Sequence, residues 1–173
     1  MRQRDHLVGS AAVIVRFGRV ANGLMLAAIA VGLAGTWAVP GFYRDLVVRA
    51  DPSVDVSAAL LGAQLLMAIG IVMTIAIDRL LVPLAAIVES ARLGDPFVLA
   101  NADRLRRIGW ALLVLQLLDL RCAMLARFWP SLGSAAPVGD ISFGGWLATL
   151  MVFVLARVFA AGSVMRDDLT GTV

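Results

Sequence analysis

Long uncharged apolar runs alternate with short polar ones along this chain, and the runs have membrane-crossing length. Val20 to Val39 carries no charge, and a hydrocarbon core needs about 20 residues at ~1.5 Å rise each. Arg16 and Arg19 flank one end of this run and Trp37 the other. The second run, Val56 to Ile77, is again uncharged, with Ser57 placed to cap a helix start. Between the two, residues 40–55 hold Pro40, Gly41, Arg44, Asp45, Arg49, Asp51, Pro52 and Asp55, a polar loop with room for a short interfacial helix at 42–48. Asp78 and Arg79 end the second apolar run. Helical spacing nevertheless continues through Leu80, Leu81, Leu84, Ile87, Val88 and Ala91. Pro83 predicts a kink in this extension, and Gly94-Asp95-Pro96 its end.

Beyond that break Asn101 is placed to cap a helix whose apolar part, 108–128, forms a third span. It is less clean than the others, because Asp119 and Arg121 each cost roughly 2.5–3.5 kcal/mol near a span centre. Pro130, Gly133, Ser134 and Pro137 mark a loop, and 143–162 is the fourth span, followed by a short tail. The pattern predicts an all-α polytopic membrane bundle: a single domain over 1–173 with four transmembrane helices at about 20–39, 56–77, 108–128 and 143–162. A helical loop at 78–107 joins the middle pair. Thr36-Trp37-Ala38 loosely mimics a signal-peptide cleavage site, but the long N-terminal lead and the later spans argue against removal.

Composition agrees. The chain is 61% hydrophobic and 16% charged, where soluble domains run near half and about a quarter, and so small a globule cannot hide the excess. All 15 basic residues are arginine, and the net charge is only +3, which points to lipid phosphate more than to nucleic acid. Their distribution sets an orientation. Arg2, Arg4, Arg16, Arg19, Arg79, Arg92, Arg104, Arg106, Arg107 and Arg166 fall on one side, against Arg44, Arg49 and Arg127 on the other. The richer side is cytoplasmic by the positive-inside rule, so both termini are expected in the cytoplasm.

Candidate chemistry is sparse. One cysteine, Cys122, and one histidine, His6, make neither a disulfide nor a metal set. No glycine-rich loop with a lysine cradles phosphate, and no nucleophile–base pair stands out, so no catalytic residue, cofactor or metal is expected. Asp119 is the residue to explain, since it lies ~17 Å into its span, near the midplane. Gln116 shares its helical face. Arg157, on the fourth span, either reaches toward Asp119 or snorkels to the headgroups. A structural Asp119–Arg157 pair, a working proton or ion site and a solvated or protonated Asp119 all stay open.

The basic connection at 78–107 reads two ways: a topology-holding cluster touching anionic lipid, or a docking surface for a cytoplasmic protein. The surface would comprise Asp95, Pro96, Phe97, Asn101, Arg104, Arg106 and Arg107. Here and in the tail the chain resembles a bacterial family, the "domain of unknown function 2975" membrane proteins. The resembling residues are Gly94-Asp95-Pro96-Phe97, Asn101, Arg104-Leu105-Arg106-Arg107-Ile108-Gly109, Leu155-Ala156-Arg157-Val158-Phe159, Gly162, Met165-Arg166-Asp167-Asp168 and Thr172-Val173. The family often has an acidic residue near the place of Arg157, a departure here. The resemblance implies a four-span bacterial inner-membrane protein with no established activity. Such proteins are often encoded beside small helix-turn-helix regulators. The resulting expectation is a non-enzymatic membrane protein that engages a cytoplasmic partner, such as a helix-turn-helix regulator, without touching nucleic acid itself. A small transporter or channel component using Asp119, and a membrane enzyme acting on lipid, are the alternatives.

Overall fold

The computed structural model describes residues 2–93, 98–128 and 142–170, apart from the side chains of 2–8, 125–128 and 166–170. Five helices make up nearly all of it, with no strand among the described residues: α1 Arg2–Ala38, α2 Pro40–Ala50, α3 Val56–Arg92, α4 Leu99–Phe128 and α5 Phe143–Thr170. Three of them, over Gly9–Ala38, Val56–Arg92 and Phe143–Met165, are long and apolar enough to cross a membrane. The expected third span lies in α4, which is not among these three. The predicted loops around Gly94-Asp95-Pro96 and at 129–141 fall outside the described residues.

Local chemistry explains most of the boundaries. α1 stops where Val39 leaves the helical region, at φ −135° and ψ 62°, since the ring of a following proline disfavours helical backbone in the residue before it. Pro40 then opens α2 at the position that has no use for its missing N–H. The start of α3 corrects the sequence reading: Asp55 is the cap, and Ser57 is not. One Asp55 carboxylate oxygen accepts the Ser57 and Ala58 N–H groups at 2.9 and 3.3 Å and the Ser57 hydroxyl at 2.5 Å. An acid also suits the positive end of the helix dipole better than a hydroxyl does. These bonds, led by the Ser57 hydroxyl, hold the Asp55 carboxyl below its ordinary range. Asp51 is lowered in the same way by Ser53.

The helices outrun their apolar windows. α1 begins at Arg2 instead of near residue 20, because a window of hydropathy marks lipid and not the end of the helix. α3 has 37 residues, ~55 Å of axis, and passes through Pro83 without ending. α4 begins at Leu99, so Asn101 lies inside its first turn and does not cap it; its N–H donates to the Val98 carbonyl at 2.8 Å.

Packing divides into two compact units. In the unit of 1–22, 76–114 and 142–173, four helix segments run in alternating directions. Gly18 of α1 faces Leu81 of α3, and Arg19 pairs with Asp78 at 3.7 Å. The α3 and α4 ends meet at Ser90 and Asn101. Against α5, Gly109 of α4 lies under the Phe153 ring, where a Cβ would come within 2.9 Å. Trp110 meets the same ring edge-on at 5.6 Å. On α5 the buried positions Thr149, Ala156 and Ser163 recur every seventh residue, a seam that small side chains make close.

The unit of 23–75 and 115–141 is held differently. There α1 and α3 approach as an antiparallel pair. Ile29 lies over Gly70, Gly32 beside Met67, and the Gln64 amide donates to the Thr36 hydroxyl at 2.9 Å. Numbers rise on one helix as they fall on the other. The Tyr43 ring of α2 packs on Gly35. Outside the seam, Leu24, Met25, Val31 and Trp37 are exposed, as side chains meant for lipid are.

Candidate functional site

The most developed polar arrangement lies in the first unit, where α3 and α4 turn back on each other. Ser90 is in the last turn of α3 and Asn101 in the first of α4, two polar residues flanking the break between helices. Asn101 is fully buried. Its amide donates to the Ser90 hydroxyl at 2.7 Å, and that hydroxyl donates to the Ile87 carbonyl at 2.8 Å. From one turn later, Arg104 donates to the Asn101 side-chain oxygen at 2.7 Å and reaches the Ala86 carbonyl at 3.5 Å. Every member has a partner, so burial carries no desolvation penalty for an orphaned group. The network fastens one helix to the other.

This divides the residues that the sequence grouped as a partner surface. Asn101 and Arg104 point into the hairpin and hold it. Arg106 and Arg107 are exposed, Arg106 beside Asp103 at 3.3 Å. Arg92 pairs with Glu89 at 3.1 Å, also in the open. Asp95, Pro96 and Phe97 lie outside the described residues. Sequence reading missed Ser90, Asp103 and Glu89. Ser90 was detectable in principle, since polar residues on both sides of a helix–helix turn are the natural cross-links of a hairpin.

A second feature of this unit is a notch of about 240 Å³ between α4 and α5, lined by Ala102, Asp103 and Arg106 on one side and Phe153, Ala156, Arg157 and Ala160 on the other. The arginines of the two helices thus share one opening. Another recess, of about 410 Å³, lies where Arg16, Arg19 and Val20 of α1 meet Asp78.

Asp119 and Gln116 belong to the second unit, and Arg157 to the first. Both α4 residues are half-buried. Their spacing places them on the face of α4 that carries the buried Cys122. The ion pairs among the described residues are Arg19–Asp78, Arg92–Glu89 and Arg106–Asp103. No group of three or more potential metal ligands occurs among the described residues. Comparison with protein-family models, with curated proteins and with solved structures returns no match.

Proposed function

We propose that the chain is a four-span protein of the bacterial inner membrane, with both termini in the cytoplasm, that engages a soluble protein through its α3–α4 hairpin. The single observation that carries this reading is the fastened hairpin. α3 continues as helix for fifteen residues after Ile77, α4 starts nine residues before Ile108, and the Asn101 network joins them. The α3 extension carries charges only at Asp78, Arg79, Glu89 and Arg92 around an apolar stretch, and a helix continued that far past the second charge-free run is not needed for anchoring. Held rigid, it presents Glu89, Arg92, Asp103, Arg106 and Arg107 as a charged platform, and pre-organisation of this kind reduces the ordering cost of binding.

The alternating directions in the first unit support α4 as the fourth span. It runs antiparallel to α3 at Ser90–Asn101 and to α5 around Phe153, and both of those helices are of crossing length. The same alternation favours one side for the N-terminus, the hairpin and the C-terminal end of α5. The family resemblance favours a helix-turn-helix regulator as the partner. Co-purification from native membranes tests the docking. The intact chain should recover a stoichiometric soluble partner, and the Arg92→Glu/Arg107→Glu variant several-fold less. Equal recovery, or no partner with either chain, counts against the reading.

The half-buried Asp119 favours a second reading, a path for protons or ions through the bundle. In that case Asp119→Asn lowers flux in reconstituted vesicles while helix content stays constant; unchanged flux removes this alternative.

A further inference from the structure

Arg157 is the only charged residue between Phe143 and Met165, a stretch apolar enough to cross a membrane. It is exposed, five residues before the end of the 143–162 span and so ~7.5 Å from that end. No carboxylate among the described residues pairs with it. A lone guanidinium at that depth calls for an anion or for a path to water. Its side chain opens into the notch that Arg106 lines from α4. Arg106 is held one turn from Asp103 by the 3.3 Å pair, which uses one of its nitrogens and leaves others to donate. Two cations outweigh the single carboxylate.

The remaining wall is apolar: the Phe153 ring and the two alanines, Ala156 and Ala160, whose small side chains leave the space open. At about 240 Å³ the notch falls below the roughly 300–1,000 Å³ of ordinary small-molecule pockets, and suits a headgroup phosphate with part of its glycerol. Leu150 and Val164, seven residues before and after Arg157 and so on its face of α5, are exposed apolar side chains, and acyl chains have a surface to follow. We propose that this notch binds the phosphate of an anionic membrane phospholipid, with Arg157 and Arg106 as its guanidinium ligands. The assignment rests on α5 crossing the membrane and not on the partner reading, with which it shares Arg106; Arg157 belongs to the notch alone.

Trp110, packed on Phe153, reports on the site. A chain retaining Trp110 alone (Trp37, Trp129 and Trp146 changed to Phe) is placed in phosphatidylcholine bilayers. Brominated phosphatidylglycerol or brominated phosphatidylcholine is then titrated in. The site predicts steeper quenching by the anionic lipid. That excess is lost in Arg106→Gln/Arg157→Gln, kept in Arg157→Lys, and unchanged in Arg107→Gln. Circular dichroism verifies that each variant folds, and Arg157→Gln alone decides if the double variant does not. An excess that survives Arg157→Gln, or that never exists in the parent chain, overturns the proposal. Removal of the excess by inorganic phosphate overturns the lipid assignment in favour of a soluble anion. Absence of quenching by either lipid overturns the membrane placement itself, and the site with it.

Discussion

Two helix contacts in this molecule solve the same problem by different means. Where α1 meets α3 in the second unit, glycines do most of the work: Gly70 under Ile29, Gly32 against Met67, and one hydrogen bond from Gln64 to Thr36. Where α3 meets α4, a buried asparagine with a serine and an arginine holds the pair. The difference follows from the surroundings. In lipid there is no hydrophobic gain in bringing apolar helices together, so close approach by small residues supplies the contact. On the proposed topology the hairpin lies in water, which competes for every polar group, and only a network that excludes it while satisfying each member is favourable.

The contrast predicts unequal costs. Asn101→Ala should be the most damaging change, since it removes the acceptor of a charged donor and empties a fully buried site. A loss of about 2–3 kcal/mol is expected, read as a lower detergent- or heat-induced unfolding midpoint. A loss no larger than that of a surface change would mean that the hairpin is held by something else. In the apolar contact Gln64→Leu should cost only about 0.6 kcal/mol, the usual scale for one hydrogen bond between helices in a membrane. A value as large as that of Asn101→Ala would erase the contrast.

The smallest effect belongs to the exposed turn before α3. Asp55 has a depressed carboxyl, so its contribution is complete above the ordinary value of about 3.9 and fades as pH falls through the lower folded-state value. Asp55→Ala should therefore weaken the start of α3 at neutral pH and remove part of the acid sensitivity, as followed by helix content across an acid titration.

The apolar runs were legible because lipid imposes a length and a composition. The α2 helix was legible in part: a short helix is expected at 42–48 within a polar loop, and the structure extends it to Pro40–Ala50. Helix ends were less so. Ser57 and Asp55 both suit a cap, and only geometry shows the carboxylate taking the hydroxyl as well as the two N–H groups. Asn101 was visible as a polar residue at a helix start, but its cross-link depends on which residue of α3 comes opposite it after the turn. The notch was hidden for a similar reason. Arg106 and Arg157 belong to different helices, and no local pattern in either says that they share an opening.

The seven-residue recurrence of Thr149, Ala156 and Ser163 on α5 has a consequence for how this helix can change over time. One residue inserted between two of these positions rotates everything beyond it by ~100° about the axis and turns the next small side chain out of the seam. A whole heptad restores the alignment to within ~20°. Substitutions on the outer faces of α5 leave this seam intact, while the length of the helix is quantised: insertions of seven or eleven residues keep the seam to within ~20°, and one or two residues turn it out.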